Sequence, residues 1–415
     1  MHFDFNFYSS ILLIFFVHGL VYTFLLWRKG IKNCSRADKW LAVFLILCIL
    51  YIAPWMLGFA GWYDNQPYRD LLFYLPLQHL YFIGPVIFFY VQSLLNPSFN
   101  FGKRHWLHLL PGGLFLLYSI VIFVTDKILL HQYYFLENGE DPDFALWYQL
   151  TGFLSMSLYF FISIRYFGLY QKLMPQVVSY AGELLFKWVR NFLYAFSGML
   201  LLRLIFYAGS YIPAFQNMRY MGPWWEYFSF AVIFYYIAIT GYSNAIETKV
   251  PFKLNLLSYK PSLLLPSSTA VVEKSFLIED AEIIEITNTK TAIREDAVLL
   301  AEWKPKITEL LQHGKVYQNP ELSLTQLAKQ LQTNPSVVSR VINQGFQLNF
   351  NDFINQYRIE AVMQKFKEGS QKTQTLLGIA FDCGFNSKAT FNRAFKKLTD
   401  VSPMEWLKKN AYQNS

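Results

Sequence analysis

The sequence predicts an all-α protein in which a bundle of seven membrane-spanning helices precedes a water-soluble helical domain. Two observations support this prediction. Only 15% of the 415 residues are charged and 54% are apolar, whereas about a quarter of the residues of a soluble protein are charged. The apolar runs lie almost entirely before residue 245, and charged, helix-periodic sequence follows them. We therefore expect a transmembrane domain at 1–245, a cytoplasmic linker at 246–294 and a soluble domain at 295–415.

The transmembrane prediction depends on the length of the apolar segments, since a helix needs roughly 20 residues to cross a bilayer. The predicted spans are 8–27, 40–60, 71–95, 106–124, 146–166, 188–212 and 224–242. Lys and Arg are concentrated in the first, third and fifth connections, and acidic residues predominate in the longest of the others. By the positive-inside rule, the N-terminus is outside and the C-terminal domain is cytoplasmic.

Four polar side chains interrupt these spans, namely His18, Gln78, His79 and Arg203. Ionisable groups inside a membrane usually face the interior of the bundle and often mark a functional site. Counted at 1.5 Å per residue, the two histidines and the arginine fall at similar depths in the outer half. We predict that the four line a pocket for an apolar or anionic ligand. The alternative, that each only bonds a neighbouring helix, remains open.

Two helix-turn-helix units are predicted in the soluble domain. In the first, an apolar stripe at 324–331 precedes a break, after which Pro335 suits the first turn of a new helix. The polar face of that helix carries Ser336, Ser339, Arg340 and Asn343. In the second, Gly384 permits the turn, and Asn386 or Ser387 can cap the next helix. Strongly apolar residues at 350–366 predict a long helix between the two units.

The last helix of the second unit lies in the stretch SKATFNRAFKK at 387–397. Its apolar stripe is Phe391, Ala394, Phe395 and Leu398, and its other face carries Asn392, Arg393, Lys396 and Lys397. Arginine and lysine pair with guanine edges, asparagine pairs with adenine, and lysine also binds phosphate. This pattern predicts a helix that enters a DNA groove.

From about residue 317 to 407, the sequence resembles the AraC/XylS family of bacterial transcription regulators. The resemblance rests on LSLTQLAKQLQTNPSVVSRVIN, FNDFINQYRIEA and IAFDCGFNSKATFNRAFKKLTDVSP. Asp400 departs from the family pattern, which often has glycine there, but aspartate tolerates a left-handed backbone better than most residues. The resemblance implies a seven-helix module with two recognition helices that enter the major groove one turn apart. The implied recognition positions are Ser336, Ser339 and Arg340, then Lys388, Ala389, Thr390, Asn392 and Arg393, with Lys396 nearby.

These features predict a one-component regulator in the inner membrane of a bacterium, with double-stranded DNA, membrane lipid and an unidentified signal as partners. A second copy of the chain is a further candidate partner. No metalloprotease motif, nucleophile elbow or glycine-rich nucleotide loop occurs in the sequence, so we expect neither an enzyme nor a cofactor or metal site. Two alternatives remain: a transporter or channel with a regulatory C-terminal module, and a precursor that is cleaved to release a soluble factor.

Overall fold

The computed structural model describes residues 3–96, 99–137, 139–179, 183–209, 221–243 and 289–411. Within these ranges the regular structure is helical, apart from an isolated β-bridge between Val178 and Ser323. The all-α prediction is therefore confirmed. The predicted linker, 246–294, lies outside the described residues as far as residue 288.

Contacts between residues divide the chain into two compact units. The first contains the described residues of 1–167 and 187–253, and the second contains those of 168–186 and 254–415. The second unit thus includes a segment, 168–186, that belongs to the predicted membrane domain in the sequence.

The helices of the N-terminal part are long and mostly apolar. They are α1 (Phe7–Lys32), α2 (Arg36–Phe59), α3 (Tyr68–Tyr74), α4 (Leu80–Leu95), α5 (Leu110–Phe123), α6 (Leu146–Val177), α7 (Glu183–Gly209) and α8 (Met221–Ser243). Among the described residues, five helical stretches are long and apolar enough to cross a membrane. These are Phe7–Lys32, Arg36–Phe59, Lys103–Leu129, Leu146–Val177 and Lys187–Gly209. Residues of the seventh predicted span form α8, which does not belong to these five.

The third predicted span, 71–95, is not one continuous helix. It is interrupted between Tyr74 and Leu80, where α3 ends and α4 begins. Pro76 lies in this break and has no backbone N–H to continue the helical ladder. The apolar run predicted one span because its composition does not change at the break, and α4 alone is a shorter apolar helix.

The C-terminal part of the second unit contains seven α-helices among residues 289–411. They are α9 (Thr289–Gln312), α10 (Leu324–Gln330), α11 (Pro335–Arg340), α12 (Phe350–Lys367), α13 (Leu376–Asp382), α14 (Lys388–Thr399) and α15 (Pro403–Ala411). Helices α10 and α11 form the first helix-turn-helix unit, α13 and α14 form the second, and α12 connects them.

Local sequence determines where these helices begin and end. The Ser387 hydroxyl accepts a hydrogen bond from the backbone N–H of Thr390 at 3.1 Å, so it caps α14 as predicted. Asp400 ends the same helix at φ +61°, in the left-handed region that aspartate tolerates. Gly384 makes the preceding turn at φ +95°, which favours a residue without a Cβ.

Two apolar cores stabilise these helices, and α12 contributes to both. The first contains Phe350, Phe353 and Ile354 with buried residues of α9, α10 and α11. The second packs Ile359 and Phe366 against buried residues of α13 and α14. One helix therefore belongs to both cores and connects the two helix-turn-helix units.

Candidate nucleic-acid interface and buried polar clusters

Helix α14 presents a basic face to solvent. Lys388, Ala389, Asn392, Arg393 and Lys396 are all exposed, and their spacing places them on one side of the helix. The helix contains no acidic residue. The arrangement places hydrogen-bond donors and positive charge where a helix in a major groove needs them.

The opposite side of α14 fixes the helix in the domain. Phe391 and Phe395 are 2% and 0% exposed, and Phe395 packs against Phe366 and Trp406 at ring-centroid distances of 6.3 and 6.2 Å. Leu398, predicted to continue this buried stripe, is instead 43% exposed, because α14 ends at Thr399, one residue later.

Helix α11, the first predicted recognition helix, is short and continues into a wider helical turn at Val341–Gly345. Ser336 and Arg340 are partly exposed and Asn343 is exposed, so these three are accessible to a ligand. The predicted start at Pro335 is confirmed, since α11 begins there.

Two of the predicted recognition residues are nearly buried. Ser339 and Thr390 are 5% and 3% exposed. The Ser339 hydroxyl accepts a hydrogen bond from Asn343 at 3.3 Å, and the Thr390 hydroxyl bonds that of Ser387 at 2.9 Å. Their hydroxyl groups are therefore used inside the domain, and the other eight predicted positions are partly or fully exposed.

A buried arginine joins the two helix-turn-helix units. Arg358 of α12 is 1% exposed. Its guanidinium donates hydrogen bonds to the carbonyl oxygens of Tyr317 and Asn319, before α10, at 2.8 and 2.7 Å. The guanidinium also lies 5.8 Å from the ring centroid of Phe385, in the second helix-turn-helix unit. Burial lowers the pKa of Arg358 to about 10, so the side chain remains charged at neutral pH.

Gly384 brings the second helix-turn-helix unit close to Tyr317 and Arg358. A Cβ at this position would lie 2.3 Å from the carbonyl oxygen of Tyr317 and 3.0 Å from Nε of Arg358. Only glycine therefore permits this approach, in addition to its positive φ.

In the first of the two compact units, a largely buried polar cluster connects two of the four predicted pocket residues. Arg203 donates hydrogen bonds to the hydroxyl of Tyr51 at 3.1 Å and to the side-chain oxygen of Gln149. Gln149 in turn donates to the side-chain oxygen of Gln78 at 2.8 Å. Gln78 then donates to the hydroxyl of Tyr227 at 3.0 Å. The sequence identified Gln78 and Arg203, but not the Gln149 side chain that connects them.

The other two predicted pocket residues lie apart from this cluster. His18 is exposed on α1, where Nδ1 is 2.8 Å from the carbonyl oxygen of Ile14. His79 immediately precedes α4, and its ring packs beside Phe82. Among the described residues, no hydrogen bond joins either histidine to Arg203 or Gln78. The two histidines and Arg203 were predicted at similar depths, but depth along a helix does not specify the direction in which a side chain points.

A cavity of about 20 Å³ lies beside the cluster, with Arg203, Glu226 and Tyr51 in its wall. Its other lining residues are apolar and come from α2, α4, α6, α7 and α8. A space of this size holds about one water molecule. A larger ligand therefore requires the surrounding helices to move apart.

The break between α3 and α4 is satisfied by an acidic side chain. Asp143 accepts hydrogen bonds through Oδ2 from the backbone N–H groups of Leu77 and Gln78, at 2.8 and 2.9 Å. Its other oxygen, Oδ1, is buried without a hydrogen-bond partner among the described residues. Asp141 lies beside it and accepts from Tyr63 at 2.7 Å. Burial raises the pKa of both carboxyl groups, and the charge of Asp141 raises that of Asp143 further.

These two carboxyl groups predict a pH dependence. A carboxyl group whose pKa is higher in the folded than in the unfolded state stabilises the fold at pH values below its unfolded-state pKa. This contribution to stability is lost as pH rises through the folded-state pKa. We expect the melting temperature of the detergent-solubilised protein to fall between about pH 4 and pH 8. Asp143→Asn should flatten this fall. Asp64→Asn, which changes an exposed aspartate of the same compact unit, should not. A profile unchanged by Asp143→Asn would contradict the role given to this carboxyl.

Comparison with known proteins is informative for the C-terminal part. The helix-turn-helix domain family matches residues 327–409. Uncharacterized HTH-type transcriptional regulators of Staphylococcus aureus strains COL, MSSA476 and N315 are each 26% identical over 101 residues. The match covers 24% of this chain and only 13% of the length of these relatives. No solved structure matches the chain. Residues 327–409 thus form a helix-turn-helix domain, which supports DNA-binding transcription regulation.

Proposed function

We propose that this protein is a membrane-embedded, one-component transcription regulator that couples a signal in its helical bundle to sequence-specific DNA binding in the cytoplasm. The observation that carries the proposal is the presence in one chain of a helix-turn-helix domain and five helices long and apolar enough to cross a bilayer. A bacterial inner membrane would place such a domain next to the chromosome.

The DNA-binding part of the proposal rests on α11 and α14. Each follows a short helix and a turn, and each has accessible polar residues on one face. We assign base contacts to Arg340, Asn392 and Arg393, and phosphate contact to Lys396, since arginine and asparagine match guanine and adenine edges. Lys397 has another partner, because its ammonium pairs with Asp352 at 2.6 Å.

The membrane part of the proposal takes α3 and α4 together as one interrupted crossing. Backbone groups at such a break must be satisfied inside the protein, as they are here by Asp143. With seven crossings, the basic connections face the cytoplasm and the C-terminal domain lies on the same side. Many large apolar side chains of α1 and α5 are exposed in the first unit, including Phe24, Leu114 and Ile120, and lipid is the solvent that suits them.

The signal-sensing part of the proposal centres on the cluster around Arg203. A ligand can shift the bundle only if it binds one of two arrangements more tightly than the other. The cavity beside Arg203 is too small for more than a water molecule, so a signal molecule that enters there must open it. An anionic or hydrogen-bonding ligand could replace the present bonds of Arg203 to Tyr51 and Gln149.

The DNA-binding assignment is tested by Arg393→Ala and Lys396→Ala in the full-length protein, with sites selected from randomised DNA duplexes. We expect Arg393→Ala to weaken binding to the selected site by about 1–3 kcal/mol and to relax specificity at one base pair. Lys396→Ala should weaken binding to all sequences and reduce the salt dependence by about one phosphate contact.

The matched control is Lys367→Ala, which removes the same charge at an exposed position at the end of α12. It should change affinity little and specificity not at all. Binding that is indifferent to sequence and to salt, or a Lys367→Ala variant as impaired as Arg393→Ala, would overturn the assignment.

A further inference from the structure

The two residues that follow α6 are bound to the helix-turn-helix domain within the second unit. Val178 and Ser179 are both fully buried, and Val178 forms an antiparallel bridge with Ser323. The Ser179 backbone N–H and hydroxyl both donate to the carbonyl oxygen of Leu322, at 3.2 and 2.8 Å. The carbonyl of Val178 accepts from Asn351 of α12 at 3.3 Å. We refer to Val178–Ser179 as the docking segment.

The docking segment also binds Arg358. The guanidinium donates to the Ser179 carbonyl oxygen at 3.4 Å through Nη1, and to the Ser179 hydroxyl at 3.1 Å through Nη2. These bonds involve the same side chain that holds Tyr317 and Asn319 and faces Phe385. The docking segment therefore binds at the junction between the two helix-turn-helix units.

A polar stripe on α12 accounts for this binding site. Asn351, Asn355 and Arg358 occur at helical spacing and are 8%, 6% and 1% exposed. Asn355 donates to Asn351 at 3.0 Å and accepts from Arg358 at 3.3 Å. Buried polar groups need partners, and the docking segment supplies a carbonyl, a hydroxyl and a second carbonyl to this stripe.

The docking segment is joined directly to α6, which runs from Leu146 to Val177 with Pro175 in its last turn. The part of α6 up to Phe167 belongs to the first unit and the part from Gly168 belongs to the second. Since a helix is stiff along its axis, a shift or rotation of α6 reaches Val178 without an intervening loop. Glu183, where α7 begins, is only a few residues further along the chain.

From these contacts we infer that the docking segment is the element through which α6 controls DNA binding, by fixing the two helix-turn-helix units relative to each other at Arg358. This inference rests on the proposed function, because it requires that DNA binding respond to the bundle. A bound docking segment holds one relative placement of α11 and α14. Its displacement frees the buried stripe of α12 and permits another placement.

The test uses a disulfide between positions 178 and 323 of the full-length protein in nanodiscs. Residues paired across a bridge have Cβ atoms about 4.5–5.5 Å apart, close enough for a disulfide after a small adjustment. Val178→Cys and Ser323→Cys are combined with Cys34→Ser, which removes an exposed native thiol. A protease site inserted after Ser268 separates the two cysteines, so that after cleavage only a cross-linked chain stays in one piece on a denaturing, non-reducing gel.

The matched control moves the first cysteine to the exposed position 171 on α6, with Gln171→Cys, Ser323→Cys and Cys34→Ser. It carries the same loss of the Ser323 hydroxyl, which caps α10 by accepting from the Gln326 N–H, and it differs only in the position of the first cysteine. We expect mild oxidation to cross-link the 178/323 variant and not the 171/323 control. Equal cross-linking of both, or of neither, would overturn docking, whatever the protein does with DNA.

DNA affinity is then measured for the oxidised and reduced 178/323 variant with the site selected from randomised duplexes. We expect oxidation to change the apparent Kd by about fivefold or more, the range typical of coupled sites, and to leave the control unchanged. Cross-linking with an unchanged Kd would overturn control through this segment. Cross-linking of a protein that selects no DNA site in either state would instead overturn the proposed function and leave the docking contact standing.

Discussion

Replacing Phe395 with alanine is expected to unfold the second helix-turn-helix unit under conditions in which the native protein is stable. Phe395 is fully buried and its ring contacts Phe366, Phe391 and Trp406. Truncation of a buried phenylalanine destabilises a domain by about 3–5 kcal/mol, a large part of the total stability of a typical domain. The basic face of α14 would then lose the support that holds it in place.

Hydrogen exchange of the full-length protein in detergent measures this effect by region. We expect protection in α13, α14 and α15 to fall by about 100-fold or more, with a smaller loss in α10 and α11, whose core is separate. Leu398→Ala is the control, because Leu398 is on the same helix but 43% exposed. Equal losses in the two variants would mean that Phe395 does not anchor α14.

Replacing Arg358 with leucine is expected to destabilise both helix-turn-helix units at once. The change leaves the buried carbonyl oxygens of Tyr317 and Ser179 without their arginine donor, and each buried, unsatisfied acceptor costs about 1–3 kcal/mol. The carbonyl oxygen of Asn319 keeps its hydrogen bond from the Leu322 N–H. We therefore expect a total loss of about 2 kcal/mol or more, because leucine packing compensates only in part. Unlike Phe395→Ala, this variant should lose protection in α10 and α14 together.

The matched control for Arg358 is Lys365→Leu on the same helix. Lys365 forms a solvent-accessible ion pair with Asp382 at 3.1 Å, and such pairs contribute about 0–1 kcal/mol. Thermal unfolding and hydrogen exchange should therefore both show that Arg358→Leu is far less stable than Lys365→Leu. If Arg358→Leu destabilised only one of the two units, the arginine would not be the junction between them.

The bounds of α11 and α14 were predictable because their signals are local. Helix α11 begins at Pro335, Gly384 makes the turn before α14, and Ser387 caps α14. Each of these effects extends over only a few residues. The exposed face of α14 follows from the same periodicity that buries Phe391 and Phe395. Leu398 departed from the pattern only because the helix ends beside it.

The remaining features depend on residues far apart in the sequence. The acceptor that satisfies the break in the third span is Asp143, more than sixty residues beyond it, and composition alone cannot locate such a partner. Gln149 joins Gln78 to Arg203 in the same non-local way. Ser179 likewise meets Leu322 across 143 positions, and nothing in the sequence near Ser179 indicates this contact.

The docking segment also affects how this protein can be rebuilt. A chimera that replaces everything after residue 288 with a foreign DNA-binding domain keeps Val178 and Ser179 but loses their partners, Leu322, Ser323 and Arg358. The exchangeable module therefore consists of two separate stretches of the chain, one of them between α6 and α7. A change of DNA specificity confined to the exposed positions of α14 avoids this problem, since none of those positions takes part in the contact.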